Sequence, residues 1–359
     1  MKQLKYFFFL PASLVLIAIS CTKSTSTTTD QSGNWVKRAD FGGVPRSEGI
    51  SFVIGDTAYI GTGYDGTYRY NDLWAFLPDQ NSGNGSWSQR QSIPAPASAN
   101  GVLGRSSAVG FTVSGKGYVT TGTDSYTRFK DTWEYNPITN TWAQKADFPE
   151  GLDPNGKPNG RINAVAFGID TKGYVTTGFN GAATNDMYIF DPAANTWTQG
   201  PSLGGEKRSE ATAFVYNGQG YVLTGIKNGL MVNDFWKFDP KTTTWTKLRN
   251  INNISSETYD DDYSDIVRQN AVSFVINNGT TPKAYLATGK NGSYSAKVWE
   301  YDFAADTWAR KSNYERASRE GAVAFAVKGR GYIATGTSGS YYLDDCDEFK
   351  PTETLDTND

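Results

Sequence analysis

The side chains best able to do chemistry in this sequence are arginines and glutamates that recur at fixed places in a repeat. Six arginines each precede a phenylalanine by six residues: Arg46, Arg105, Arg161, Arg208, Arg268 and Arg319. A glutamate stands two residues after the first and the fourth of them, as Glu48 and Glu210. A guanidinium binds carboxylate or phosphate groups through paired hydrogen bonds, and a carboxyl group can transfer protons. The arginines are therefore candidate ligand-binding residues, and Arg208, Glu48 and Glu210 are candidate catalytic residues.

Several kinds of chemistry are excluded or disfavoured by composition. The sequence contains no histidine, which excludes His-dependent triads and imidazole ligation of zinc or copper. Asp260–Asp262 with Asp265 form the densest acidic group, and calcium binding and a solvated loop are the two interpretations of it. We predict no metal and no cofactor. With a net charge of -3 and no basic block, the chain is not expected to bind nucleic acid.

The candidate residues are positioned by a repeat of four short strands. The first strand runs from each arginine to its phenylalanine. The second carries Tyr-x-x-Thr-Gly, and its tyrosine follows the arginine by thirteen residues in five units and by seventeen in the fifth. The third reads Asn-Asp-x-Trp-x-Phe or a close variant, and the fourth opens on a tryptophan after a turn such as Asp191-Pro192. Four strands joined by tight turns make an antiparallel blade, and six blades around one axis make a β-propeller.

The sixth unit lacks a fourth strand, and a segment near the N-terminus can supply it. Asn34 to Phe41 matches Thr141 to Phe148 almost residue for residue, yet no strands precede it. We predict that the strand around Trp35 pairs into the last blade and closes the ring, which removes an open sheet edge. The predicted domain is thus an all-β, six-bladed propeller over residues 34–351, followed by a disordered tail at 352–359.

These residues resemble the kelch repeat, whose units carry an Arg, a Tyr, a Gly doublet and a spaced Trp in this order. The resemblance covers residues 34–351 and implies a kelch-type propeller. Two departures are that Thr replaces the first Gly in all six units and that Asp347 stands where Trp is expected in the last. Galactose oxidase has a similar repeat pattern, but its copper site is not carried over because this chain has no histidine. Cys346 occupies a position filled by Leu73 in the first unit, so we predict a small buried hydrophobe.

The N-terminus has the features of an export signal. Lys2 and Lys5 precede an apolar run, 6–19, that is too short to span a bilayer, so residues 1–20 are predicted to be a signal peptide. The small residues before Cys21 resemble the lipobox of bacterial lipoproteins, which implies lipidation of Cys21; the alternative is an ordinary signal peptide cleaved nearby. Residues 21–33 are predicted to be a flexible Ser/Thr-rich tether. We therefore expect a monomeric protein in the cell envelope of a Gram-negative bacterium, held at the membrane through the lipid alone.

A ligand site is expected where the six arginines begin the innermost strands, at one opening of the axial channel. The longest connections lie on this face, at Ser92 to Gly104, Phe148 to Gly160 and Ile251 to Val267. Two roles for the arginines are open: they join adjacent blades through carboxylate or carbonyl hydrogen bonds, or they bind an anionic ligand. The other candidate ligand-binding residues, which include aromatic rings able to stack on a sugar, are Glu48, Glu210, Asn163, Asn270, Tyr64, Tyr126 and Phe179.

Propellers host both binding proteins and enzymes, so the fold alone does not decide function. Because no catalytic constellation is evident, we predict a binding module that presents the long-loop face to a glycan or an envelope protein. The alternative is a metal-independent carbohydrate-modifying enzyme that resembles sialic acid mutarotase at the level of the fold. In that case Arg208 would bind a ligand carboxylate, and Glu210 and Glu48 would transfer protons. A hydrolase that uses two carboxylates is a third possibility.

Overall fold

The computed structural model describes residues 1, 32–95, 101, 104–150, 159–252, 263–277 and 281–358. The chain is all-β, with six four-stranded antiparallel sheets arranged as the blades of a ring, which confirms the predicted fold. The first strands of neighbouring blades contact one another around the axis, including those of blades six and one. The described residues contain one helical turn, the 3-10 segment Tyr263–Asp265, and no α-helix. Among these residues no helix is long and apolar enough to cross a membrane.

Each blade has four strands, which we number from the axis outwards. Blade one contains Ile50–Ile54, Thr57–Gly61, Leu73–Leu77 and Ser86–Arg90. Blade two contains Val109–Val113, Lys116–Thr120, Thr132–Asn136 and Thr141–Lys145. Blade three contains Val165–Ile169, Lys172–Thr176, Met187–Asp191 and Thr196–Gly200. Blade four contains Thr212–Tyr216, Gln219–Leu223, Phe235–Asp239 and Thr244–Lys247. Blade five contains Val272–Ile276, Lys283–Ala287, Trp299–Asp302 and Thr307–Arg310. Blade six contains Val323–Val327, Arg330–Ala334, Cys346–Thr354 and Ser32–Lys37.

Three further two-stranded hairpins lie in the connections between the second and third strands. They are Ile226–Lys227 with Leu230–Met231, Lys290–Asn291 with Ser293–Tyr294, and Thr337–Ser338 with Tyr341–Tyr342.

The ring is closed by the N-terminal strand, as predicted. Ser32–Lys37 pairs antiparallel with Cys346–Thr354, and Trp35 lies opposite Phe349. Trp35 is fully buried, with its ring 4.6 Å from that of Phe349 and 4.7 Å from that of Tyr314. The pairing extends from residue 32 to residue 354, so the propeller passes the predicted boundaries at 34 and 351.

The blades pack through a repeated aromatic pair. In every blade the phenylalanine of the first strand stacks on the tyrosine of the second, as Phe111 does on Tyr118 with ring centroids 5.3 Å apart. In four blades a second-strand glycine faces the phenylalanine of the preceding blade. A Cβ atom at Gly173 would lie only 2.2 Å from Phe111 Cε2. A large side chain of one blade thus fills the space that a glycine leaves in the next, as close packing near the axis requires.

Blade six differs from the others in its third strand. Cys346 is a free, fully buried thiol in a cluster of apolar side chains, as predicted. Asp347, which replaces the expected tryptophan, is also fully buried. Its carboxylate accepts hydrogen bonds from the Tyr314 hydroxyl at 2.8 Å and from Arg316 Nε at 3.1 Å. At the position where tryptophan is expected, Asp347 therefore makes an ion pair and a hydrogen bond instead of an aromatic contact. Burial raises the pKa of Asp347 above its usual value.

Candidate ligand-binding site at the mouth of the axial channel

The six repeated arginines are buried beside the channel, with at most 1% of their surface exposed. Each guanidinium donates a hydrogen bond to the carbonyl of the threonine in the Thr-Gly pair of its own blade. Five of them also pair with the third-strand aspartate of the same blade, namely Asp72, Asp131, Asp186, Asp234 and Asp345. These side chains therefore fix the geometry within a blade, and a ligand in the channel does not meet a free guanidinium.

Blade five carries a different charge arrangement, because Lys297 stands where the other blades have aspartate. Among the described residues, the guanidinium of Arg268 donates to backbone carbonyls alone, including that of Thr288 at 2.8 Å and that of Lys297 at 2.9 Å. Burial lowers the pKa of Arg268 to about 9. The carboxylate of Asp265 forms an ion pair with Lys297 and accepts a hydrogen bond from Trp299 Nε1 at 3.1 Å. Blade five has no aspartate at the position of Lys297, so the hydrogen bond from its tryptophan, Trp299, is accepted by Asp265 instead.

Contact between adjacent blades is made by the arginine backbone. In all six interfaces the N–H of the glycine in the Thr-Gly pair donates to the arginine carbonyl of the next blade, and Gly122 does so to Arg161 at 2.8 Å. These glycines have φ between +86° and +108°, and the preceding threonines also lie in the left-handed region. Glycine adopts this conformation without the penalty that a Cβ atom brings. The arginines were predicted either to join adjacent blades through hydrogen bonds or to bind an anionic ligand. They do join adjacent blades, but through their main-chain carbonyls and not through their guanidinium groups.

A second ring of hydrogen bonds surrounds the opening of the channel. The residue two positions after each arginine donates its N–H to the carbonyl of its equivalent in the preceding blade, and the six bonds of 2.8–3.3 Å form a closed cycle. We call this rim the mouth; its residues are Glu48, Ser107, Asn163, Glu210, Asn270 and Gly321. All six have φ between +50° and +62°, a conformation that is strained for residues other than glycine. The cyclic hydrogen bonding holds the side chains in place despite this strain.

Carboxylates and amides of the mouth line one cavity of about 110 Å³. The Ser107 hydroxyl donates to Glu48 Oε2 at 2.7 Å, and Asn270 Nδ2 donates to Glu210 Oε2 at 3.1 Å. The same Asn270 nitrogen lies 3.2 Å from Glu320 Oε2, so a third carboxylate from the neighbouring position joins the group. Below the mouth the channel widens into a cavity of about 300 Å³ lined by small side chains such as Ala164.

The proton affinity of Glu210 is raised at this place. Burial raises its pKa most, and the neighbouring carboxylates of Glu320 and Glu48 raise it further, to about 7. The hydrogen bond from Asn270 acts in the opposite direction. The ammonium of Lys290 lies 3.6 Å from Glu320 Oε1, and so it balances part of the negative charge. The mouth can therefore accept hydrogen bonds and exchange a proton near neutral pH.

Comparison with known proteins agrees with the propeller fold. Residues 150–275 match the family described as the KLHDC2/KLHL20/DRC7 Kelch-repeats domain. A solved structure titled "Structure of YjhT" superposes with a TM-score of 0.65 at 20% sequence identity, and the match covers 86% of this chain and 95% of that one. The chain is a kelch-repeat β-propeller. The kelch propeller is also 29% identical over 210 residues to the N-(sulfonatooxy)prop-2-enimidothioate sulfolyase of Thlaspi arvense, a match that spans 54% of this chain and 56% of that protein.

The predicted aromatic residues of the kelch propeller lie on three consecutive blades, on the face that carries the mouth. The Tyr64 ring lies 4.4 Å from the Arg69 guanidinium, and the Phe179 ring lies 5.8 Å from that of Arg128. Tyr126 stands at a loop tip with 73% of its surface exposed. Rings from blades one, two and three are therefore presented on the face that carries the mouth.

Two residues at this face, Lys290 and Tyr342, were not identified from the sequence. Lys290 directly follows the Thr-Gly pair of blade five, and Tyr64 and Phe179 occupy the same position in their blades. Aligning the repeats could therefore have identified Lys290 as a residue of this face. The edge-to-face contact of Tyr342 with Tyr64, at 6.0 Å, joins two blades and has no signal within one repeat.

Some predicted features of the kelch propeller lie outside the described residues. These are Cys21 with its signal peptide, most of the tether, and Asp260–Asp262. Across the described ranges, no group of three or more Cys, Asp and Glu side chains is arranged to hold a metal ion.

Proposed function

We propose that this kelch propeller is a cell-envelope lipoprotein that binds a carbohydrate at the mouth of its axial channel. The observation that carries the proposal is the set of five polar side chains, held by one backbone ring, that line a single cavity. Carboxylates accept hydrogen bonds from hydroxyl groups, and an amide both donates and accepts. A polyhydroxylated ligand satisfies such a set, and nearby aromatic rings offer apolar faces for stacking.

The charges at the mouth favour a neutral sugar over one that carries a carboxylate. The arginines that could bind an anion are already bonded within their blades, and Glu48, Glu210 and Glu320 are acidic. Bringing another carboxylate beside three such groups would be unfavourable unless each took up a proton. The anion-binding role considered for the arginines is therefore not part of the proposal.

The place where the N-terminal strand joins the propeller is compatible with a lipid anchor. Ser32 pairs with Thr354, whereas the other end of the strand reaches Asp347, two residues from the aspartate that binds Arg319. The strand thus begins at the outer rim of blade six, at its end remote from the mouth. Residues 21–32 can span at most roughly 35 Å when extended. A lipid on Cys21 would then leave the mouth accessible.

Carbohydrate binding is tested on a printed glycan array with the full chain purified in detergent. We expect wild-type protein to bind a neutral glycan and Glu48→Gln and Glu210→Gln to reduce that binding at least tenfold, because a charged acceptor is lost. Asp56→Asn, on an exposed turn at the other end of blade one, is the matched control and is expected to bind normally. The proposal fails if no glycan binds, or if both mouth variants bind as wild type does.

A second candidate function, proton transfer to a bound sugar, is favoured by the raised pKa of Glu210. A carboxyl group that titrates near 7 can act as acid or base, and the anomers of a reducing sugar interconvert by such transfers. For a sugar that the array identifies as a ligand, the rate of exchange between its anomers is measured in solution by NMR. Acceleration by wild type that is lost in Glu210→Gln, with both measured at sugar concentrations that saturate them, would indicate an enzyme. No acceleration by wild type would leave the binding function alone.

A further inference from the structure

Tyrosines from two blades meet at the junction between blades six and one. The rings of Tyr64 and Tyr342 contact each other edge to face, with centroids 6.0 Å apart and an interplanar angle of 84°. Tyr68 and Tyr341 stand on the same two loops with 67% and 75% of their surfaces exposed. We call these four residues the tyrosine cluster. Exposed aromatic rings grouped in this way on a surface loop are typical of a binding surface.

The cluster is held in a defined shape by its backbone. Gly66 has φ of +97°, and a Cβ atom there would lie 2.7 Å from Tyr342 Cε2, so the loop of blade one packs directly on the ring from blade six. The Tyr64 hydroxyl donates to the Gly66 carbonyl at 2.5 Å. The planar guanidinium of Arg69 lies over the Tyr64 ring at 4.4 Å, and its Nε donates to Ser106. The inner rings are therefore fixed, and the two exposed rings stand on the same loops.

The cluster is continuous with the mouth. Tyr64 bridges to Ser47, the residue before Glu48, through backbone pairing. Burial, followed by the neighbouring Tyr64 and the Glu48 carboxylate, raises the pKa of Tyr342, so the cluster and the mouth share one electrostatic environment.

The other blade junctions do not repeat this arrangement. The position of Tyr64 is taken in blades two to six by Thr123, Phe179, Ile226, Lys290 and Thr337. The position of Tyr342 is taken in blades one to five by Arg69, Arg128, Ala183, Met231 and Tyr294. Both positions are aromatic at the junction of blades six and one alone, so this paired aromatic contact lies on one side of the mouth.

We infer that the tyrosine cluster is a second subsite, which stacks on another ring of an oligosaccharide whose first ring lies in the mouth. This inference rests on the proposed function and makes it more specific: the ligand is a neutral oligosaccharide rather than a single sugar. Tyrosine rings stack on the apolar face of a pyranose while their hydroxyls remain in water. The fixed inner pair reduces the ordering that binding requires.

The inference is tested by comparing ligand lengths on a printed array that carries matched mono-, di- and tetrasaccharides of the same sugars. The full chain is expected to bind the tetrasaccharide at least tenfold more tightly than the monosaccharide. Tyr68→Ala with Tyr341→Ala should remove that difference and leave monosaccharide binding within twofold of wild type. Tyr68→Phe with Tyr341→Phe keeps the rings and should retain the difference. Leu230→Ala, at the equivalent hairpin tip of blade four with 74% exposure, is the control and should change nothing.

The outcomes separate the two proposals. Equal binding of both lengths by wild type, or an unchanged length preference in the alanine variant, overturns the subsite and leaves carbohydrate binding standing. The subsite is also overturned if Leu230→Ala loses the preference for the tetrasaccharide, because the effect would then not be specific to the tyrosine cluster. If wild type binds none of the sugars, the proposed function fails, and the subsite fails with it. Thermal unfolding of each variant identifies any that does not fold. If the double alanine variant does not fold, the single variants Tyr68→Ala and Tyr341→Ala replace it, and an unchanged length preference in both overturns the subsite.

Discussion

The carboxylates of Glu210 and Glu320 share one hydrogen-bond donor, Asn270 Nδ2, at 3.1 and 3.2 Å. A single amide nitrogen cannot offset two negative charges at this distance, so Glu210 holds a proton more readily than an isolated carboxyl group would. Burial raises the pKa of Glu210 most and the Glu320 carboxylate raises it further, so the mouth is sensitive to pH.

The stability of the fold should therefore depend on pH through Glu210. Its pKa is raised from 4.5 to about 7, so between these values the folded state binds more protons than the unfolded chain. Stability from this group is then present at pH 5 and is lost as pH rises through 7. Glu210→Gln removes the cost of holding a charged carboxylate in this buried, acidic place. In urea unfolding the variant should therefore be more stable than wild type at pH 8, by on the order of 1 kcal/mol after solvent screening. The same gain at pH 5 would contradict this account.

The glycines of the Thr-Gly pairs should be essential to the ring. A Cβ atom at Gly122 would lie 2.8 Å from the Ser106 carbonyl oxygen, at a φ of +93°. Gly122→Ala should therefore destabilise the fold by roughly 2–4 kcal/mol in urea unfolding. Gly115→Ala is the control, because it has φ of +74° but no atom within 4 Å of the added methyl group. Its loss should be about 1 kcal/mol, and equal losses would mean that the contact is unimportant.

The buried ion pairs should be required for folding. Arg105 is buried against Asp131, which lies at 2.6 Å, and its charge holds the pKa of Asp131 below the usual value despite the opposing effect of burial. Asp131→Asn leaves the guanidinium without its anion and should destabilise the fold by about 3–5 kcal/mol. Asp147→Asn, which breaks an exposed pair with Lys130, should change stability by less than about 1 kcal/mol. Similar values for the two variants in urea unfolding would argue against an important role for the buried pair.

The N-terminal strand should contribute strongly to stability through Trp35. Its ring is fully buried between Tyr314 and Phe349, so Trp35→Ala should cost about 3–5 kcal/mol. Trp142 opens the equivalent strand of blade two but is only half-buried, and Trp142→Ala should cost less. The comparison uses equilibrium unfolding monitored by circular dichroism. If Trp35→Ala had the same free energy of unfolding as wild type, ring closure would add little to the stability of the propeller.

The lipid anchor is tested independently of the ligand. Expressed with its leader in a Gram-negative host, the chain should incorporate labelled palmitate and partition into detergent. Cys21→Ser should do neither, because the thioether cannot form. Cys346→Ser is the matched control and should still be labelled, since Cys346 is buried within blade six. Equal labelling of wild type and Cys21→Ser would exclude lipidation at Cys21.

The architecture could be predicted because each blade repeats the same local signals at nearly constant spacing. The thirteen residues between arginine and tyrosine set the register of the first hairpin, and the match around Trp35 indicated closure. The conformation of the mouth could not be predicted, since Glu48 and Ser107 are not residues that favour positive φ. Their backbone is imposed by a hydrogen-bond cycle that exists only when six blades are together. The role of the third-strand aspartates was not predicted for a different reason, because the arginine that each one binds lies on another strand of the same blade.

The pairing of Ser32–Lys37 with Cys346–Thr354 also bears on when the protein can finish folding. The strand needs a partner that lies beyond all the other blades in sequence, so blade six cannot be completed before those blades have been synthesised. Ring closure is thus a late step of folding, and a truncation just before residue 346 would leave the strand Ser32–Lys37 without its partner.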